Sequence, residues 1–169
     1  MPRMAFFVVP RGTAMNQTIQ NSFVQPHLKL TETAVIDLLN AAIAQADQLG
    51  FQAAVSVYDS SGLLLGFLRM PGAFLVSSEL SQRKARCAAG LGIDPETVEM
   101  VLSEEAARVR DGLLRSADFT LIRGGLPLYW EGSLVGGIGV SGGTESQDLD
   151  CVTGAIESVK GFHSSLQSE

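Results

Sequence analysis

Apolar residues recur at three- and four-residue spacing in several stretches of this chain and alternate with polar ones in others. The two periods separate helices from strands. Thr31 is placed to cap a first helix, with Leu30 and Val35 as a hydrophobic staple across the cap. Val35, Leu38, Leu39, Ala42 and Ala46 then share one face until Gly50 stops the helix. Phe51 to Asp59 alternates, Asp59-Ser60-Ser61-Gly62 reads as a turn, and Leu63 to Met70 is the returning strand. Pro71-Gly72 breaks it. Val76, Leu80, Cys87, Ala88 and Leu91 predict the apolar stripe of a second helix ending near Leu91.

Asp94-Pro95 sets a cap before a proline at the first helical position. Val98, Val101, Leu102 and Val109 predict one continuous third helix. Phe119 to Arg123 reads as a strand and Gly124-Gly125-Leu126-Pro127 as punctuation. Leu128-Tyr129-Trp130 and Ser133 to Val140 form a hairpin around Glu131-Gly132. Thr144-x-x-Gln147 is a capping box, and Leu149, Val152, Ile156, Val159 and Leu166 predict a last helix. The order is helix, two strands, two helices, three strands, helix, with no βαβ unit. It predicts an antiparallel sheet in an α+β domain. Residues 1–29 show no sustained period and read as a flexible extension, with Met15 an alternative start, leaving 30–169 as a single domain.

Composition narrows the function classes. At 169 residues the chain holds one core, and its charged fraction of 18% is below the usual quarter, which predicts a surface buried in a homo-oligomer. The net charge of −6 argues against nucleic acid and anionic membranes as partners. The apolar run Met4 to Val9 is too short for a signal-peptide core or a membrane span, so a soluble cytoplasmic protein is expected. Cys87 and Cys151 lie far apart and make neither a disulfide framework nor a zinc site. His27 and His163 belong to no ligand cluster, and no metal is expected; His163 falls on the apolar side of the last helix.

Lys84 interrupts the stripe of the second helix. A lysine there either bends out to water or points into something polar, because burying an unpaired ammonium is costly. Arg69 and Met70 end a strand just before this helix, and Gly124-Gly125 marks a second place where backbone can approach a ligand. Lys84 with Arg69 would suit a carboxylate. Gly137 to Gly142 spells G-x-G-x-x-G, but inside a strand near the end of the chain. There glycine more naturally makes room for a helix, a ligand or a second subunit. Glu145 and Asp148 complement the positive end of the last helix, which disfavours phosphate. Ser141 has no nucleophile elbow around it.

Several segments resemble the GlcG/HbpS family in order: Val57-Tyr58-Asp59 with Gly62, Arg69-Met70-Pro71-Gly72-Ala73, Lys84-Ala85-Arg86-Cys87-Ala88, Gly124 to Pro127, and Gly136 to Gly143 with Gln147-Asp148. The resemblance implies a profilin-like α+β fold, a five-stranded antiparallel sheet with helices on both faces, assembled as a homo-oligomer built from dimers. It also implies haem or a related tetrapyrrole as cofactor or ligand, bound and promoted toward degradation. On that reading Lys84 and Arg69 meet propionates, Met70, Cys87 and Tyr129 supply apolar or axial contacts, and Gly125 lets backbone approach. Cys87 stands where the family pattern has threonine, which turns the contact there toward a soft thiol. The alternative is a small-molecule enzyme or accessory protein of a catabolic operon acting on a carboxylated substrate, with Lys84 and Asp148 as catalytic pair. A third reading is a purely structural interaction module.

Overall fold

The computed structural model describes residues 26–165. The extension expected over 1–29 therefore lies outside the described residues up to residue 25, as does Leu166. The elements are α1 (Glu32–Leu49), β1 (Ala54–Asp59), β2 (Leu64–Arg69), α2 (Leu75–Leu91), α3 (Pro95–Ser103), α4 (Ala107–Leu114), β3 (Gly125–Trp130), β4 (Ser133–Ser141), α5 (Glu145–Ser158) and β5 (Phe162–His163). The strands form one antiparallel sheet in the order β2-β1-β4-β3-β5. The α+β class and the five strands are as expected.

Local chemistry fixes the ends of these elements. Thr31 Oγ1 accepts from the Ala34 N–H, and Gly50 closes α1 at φ 78°. The β3–β4 turn needs positive φ at both central residues, and Glu131 (48°) with Gly132 (74°) supply it. The predicted capping box forms reciprocally between Thr144 and Gln147.

Alternation along the strands gives the sheet two different faces. Val55, Val57, Leu126, Leu128, Ile138 and Val140 point one way, into the main core, which α1 and α5 cover with Leu38, Ala42, Val152 and Ile156. The opposite face carries Ser56, Gly125, Gly137 and Gly139, and α2 lies directly on it. A Cβ on Gly137 would stand 2.5 Å from the Ala85 carbonyl oxygen, and one on Gly125 at the same distance from that of Lys84. Gly137 and Gly139 of the G-x-G-x-x-G run thus let a helix backbone touch the sheet.

This close approach redraws the predicted stripe of α2, of which Cys87 and Ala88 are buried as expected. Val76 (68% exposed) and Leu91 face outward, while Ser77, Ser81, Lys84, Ala85, Ala88 and Ala89 are buried. Against a glycine surface the serines and alanines fit by their small size, and Lys84 fits because its side chain runs on to a polar partner.

Three further expectations are corrected. The third helix is two: α3 ends at Ser103, where Glu104 and Glu105 would load carboxylates onto its negative end, and Val109 belongs to α4. The seven-residue spacing from Leu102 to Val109 matches two helical turns and so mimics continuity. Phe119 to Arg123 is not a strand. Thr120 Oγ1 takes the Ile122 N–H in a local turn, and Phe119 packs with Cys87, Val98 and Leu102. The fifth strand is instead Phe162–His163, which pairs with Tyr129 and Trp130 after Gly161 reverses the chain at φ 95°. His163 is therefore in β5 rather than on the last helix, and Phe162 meets the Trp130 ring edge-on at 5.1 Å.

Candidate functional site

Lys84 is 2% exposed, the largest side chain to be fully enclosed among the described residues. It reaches from the middle of α2 past the end of β4. Its ammonium donates to Asp148 Oδ2 at 2.6 Å and to the Val140 carbonyl at 2.9 Å. Asp148, in the first turn of α5 and 3% exposed, accepts the Gly143 N–H at 2.9 Å with its other oxygen. Gly124 closes the third side: a Cβ there would sit 2.6 Å from that of Asp148 and 3.0 Å from Lys84 Nζ. The hollow beside the sheet is thus occupied by a carboxylate. Burial lowers the lysine pKa although Asp148 and Glu145 pull it upward, and burial raises that of Asp148 although Lys84 pulls it down. For both groups desolvation outweighs the attraction. Such a pair can hold a proton between nitrogen and oxygen, or fasten α2 to the β4–α5 turn.

The other residues singled out from sequence have separate partners. Gly125 backs onto the Lys84 backbone and so joins the pair. Arg69 donates to the Ala73 carbonyl, within the loop entering α2. Met70 Sδ accepts the Ala53 N–H at 3.2 Å, and buried Tyr129 donates its hydroxyl proton to the Gly92 carbonyl at 2.7 Å. Cys87 Sγ donates to the Thr120 carbonyl at 3.5 Å, and burial raises its pKa.

Cys87 also lines an open cleft of about 570 Å³ between the C-terminal half of α2, the end of α4 and the Ser60–Gly62 turn. Leu91, Leu113 and Phe119 give it apolar walls, and Arg86 and Asp118 stand at its polar side. Its volume lies within the range of about 300–1,000 Å³ usual for small-molecule sites. Arg86 Nη2 donates to the Tyr58 hydroxyl at 2.9 Å, its guanidinium carbon lies 5.0 Å from the Tyr58 ring centre, and Nη1 pairs with Asp118. The hydrogen bond to Tyr58 is the main reason that its pKa is raised. Helix α4 buries none of its residues, so little packing resists a widening of the cleft. Sequence reasoning missed Arg86, Tyr58 and Asp118. The available signal was an arginine next to a cysteine on a helix whose neighbours are alanines.

Among the described residues, no cluster of three or more His, Cys, Asp or Glu is placed to hold a metal ion. No helix there is long and apolar enough to cross a membrane.

Residues 30–157 match the HbpS-like family, described as haem degrading protein HbpS-like. The corrinoid adenosyltransferase PduO of Citrobacter freundii is 32% identical over 137 residues, which cover 80% of this chain and 40% of that protein. This chain thus spans well under half the length of that relative. Protein GlcG of Escherichia coli K12 is 31% identical over 113 residues, 66% of this chain and 81% of GlcG. Among solved structures, a PduOC:heme complex superposes with a TM-score of 0.74 at 31% identity, covering 82% of this chain and 99% of that one. HbpS superposes with a TM-score of 0.72 at 25% identity, covering 84% and 98%.

Proposed function

This chain belongs to the HbpS-like family of haem-degrading proteins, and from that premise we propose that it binds haem or a related tetrapyrrole in the cleft between α2 and α4. The observation that carries the reading is its likeness to nearly the whole of a chain solved as a PduOC:heme complex. The residues at the cleft fit such a group. Leu91, Leu113 and Phe119 offer a flat apolar ligand dispersion contact and exclude water. Cys87 contributes a soft donor in the wall, and a cation stands at the rim. A bound haem iron supplies redox and axial-ligand chemistry; the chain's part is to shelter and orient it. Promotion of haem degradation belongs to the same proposal.

A cytoplasmic setting accords with two unpaired, buried cysteines. A homo-oligomer built from dimers accords with the sparse surface charge and with Leu65, Phe67, Phe74, Leu75 and Val76, apolar residues left exposed on β2 and at the start of α2. A monomer mass in solution overturns the assembly.

The test of binding is optical titration with hemin. The expected result is a saturable Soret shift that is altered in Cys87→Ser. A linear, non-saturating response contradicts the proposal.

One observation favours a second reading. Lys84 and Asp148 form a buried acid/base pair of the kind that moves protons, which suits an enzyme or accessory protein acting on a carboxylated small molecule. On it, Gly125 keeps backbone close to the pair, while Arg69 and Met70 hold the loop that enters α2. A carboxylic acid that raises the melting temperature of the wild type but not of Lys84→Met supports this reading over the first.

A further inference from the structure

We propose that Arg86 is the carboxylate anchor of the α2–α4 cleft, held in reserve by Asp118 until an acidic ligand displaces that side chain; the inference rests on the tetrapyrrole reading and deepens it. Lys84 is enclosed with Asp148 and Val140 and does not line the cleft wall described above. Arg83 and Arg123 line the neighbouring cleft on the far side of Phe119, where surface glutamates Glu79 and Glu96 answer them. Arg86 differs from all three. It lines the cleft, its Nε–H is buried, and that donor has no acceptor among the described residues.

A planar guanidinium edge matches a carboxylate, and Asp118 already occupies the Nη1 side of this one. The rest of the side chain is already fixed. The Tyr58 hydroxyl donates to Gln82 Oε1 at 3.2 Å and accepts from Arg86 Nη2. The Tyr58 ring lies against the guanidinium. Little side-chain entropy is left for a ligand to remove. Asp118 is the one movable member. Its side chain is 58% exposed on the segment after α4, so breaking its ion pair with Arg86 costs little. An incoming propionate exchanges one carboxylate for another at the Nη1 side of the same cation.

Binding isotherms for hemin and for hemin dimethyl ester, whose propionates carry no charge, test the assignment in the wild type, Arg86→Gln, Arg86→Lys and Asp118→Asn. The expected result for Arg86→Gln is hemin binding weakened roughly 10- to 100-fold, the value of a charge-assisted hydrogen bond, with ester binding unchanged. Arg86→Lys keeps the charge but not the planar edge and falls between. Asp118→Asn, on an exposed side chain, tightens hemin binding and leaves the ester alone. Hemin binding equal to wild type in Arg86→Gln overturns the anchor, as does equal loss of both porphyrins in that variant. Weaker hemin binding in Asp118→Asn overturns the reserve role. A wild type that binds neither porphyrin saturably removes the tetrapyrrole reading and the anchor with it, whereas wild-type binding with an indifferent Arg86→Gln removes only the anchor.

Discussion

At the scale of single residues, the decisive fact is that Lys84 and Asp148 are buried together. Removing one partner of such a pair leaves an uncompensated charge, at a cost of about 3–5 kcal/mol. Lys84→Met is therefore expected to lower unfolding free energy by about that much. Lys84→Met with Asp148→Asn is expected to cost clearly less than the two single changes summed, because the second change removes the stranded charge. Denaturant melts of the four proteins check this, and strict additivity would contradict the pairing. Cys151, wholly buried with Sγ donating to the Ala42 carbonyl, has its thiol pKa pushed up to about 12 by burial and by the charge of Asp148. Its folded-state pKa lies above the unfolded value of 9.0, so the unfolded chain loses this proton first. The stability is intact below pH 9 and is lost as pH rises toward about 12, by about 1.4 kcal/mol per unit. Melts in that window should show the slope in the wild type and a flatter one in Cys151→Ala.

The element scale shows what the pattern of the chain could and could not reveal. Caps and turns were legible because they are local: Thr31, Gly50, Asp94-Pro95, Glu131-Gly132 and the Thr144–Gln147 box each act within a few residues. The face of α2 was legible only at Lys84, Cys87 and Ala88. Its burial is set by Gly125, Gly137 and Gly139 on strands far along the chain, which select Ser81, Ala85 and Ala88 over Val76 and Leu91. The fifth strand was misplaced for a similar reason. Phe162 and His163 are in a strand only because Tyr129 and Trp130 offer an edge, while Phe119 finds a separate cluster. The glycine contact yields a paired expectation. A Cβ on Gly139 would meet the Ser81 carbonyl and the Ala85 nitrogen, so Gly139→Ala should lose about 1–3 kcal/mol or more. Gly112 in α4 has open space around its Cβ position, and Gly112→Ala should gain about 0.5–1 kcal/mol. A neutral Gly139→Ala would mean that α2 does not ride on the sheet.

At the scale of the molecule, the sheet divides labour between its two faces. The α1–α5 side is a conventional apolar core. The α2 side is a thin contact of glycine, serine and alanine, with polar groups fastened at two points: Lys84 to Asp148 at one, Arg86 to Tyr58 and Asp118 at the other. Lys84 stood out in the sequence because it broke an apparent apolar stripe. Arg86 did not, since an arginine on a helix is unremarkable until its neighbours in space are known. Around it, α4 adds apolar side chains without burying any, and the proposed flat ligand would complete the layer left open between α2 and α4.

Hydrogen–deuterium exchange with and without hemin tests that central claim most directly. The expected result is protection concentrated at 60–62, 86–91 and 113–119, with the α1–α5 side unchanged. Protection confined to other surfaces, or none at a hemin concentration that saturates the optical change, contradicts it.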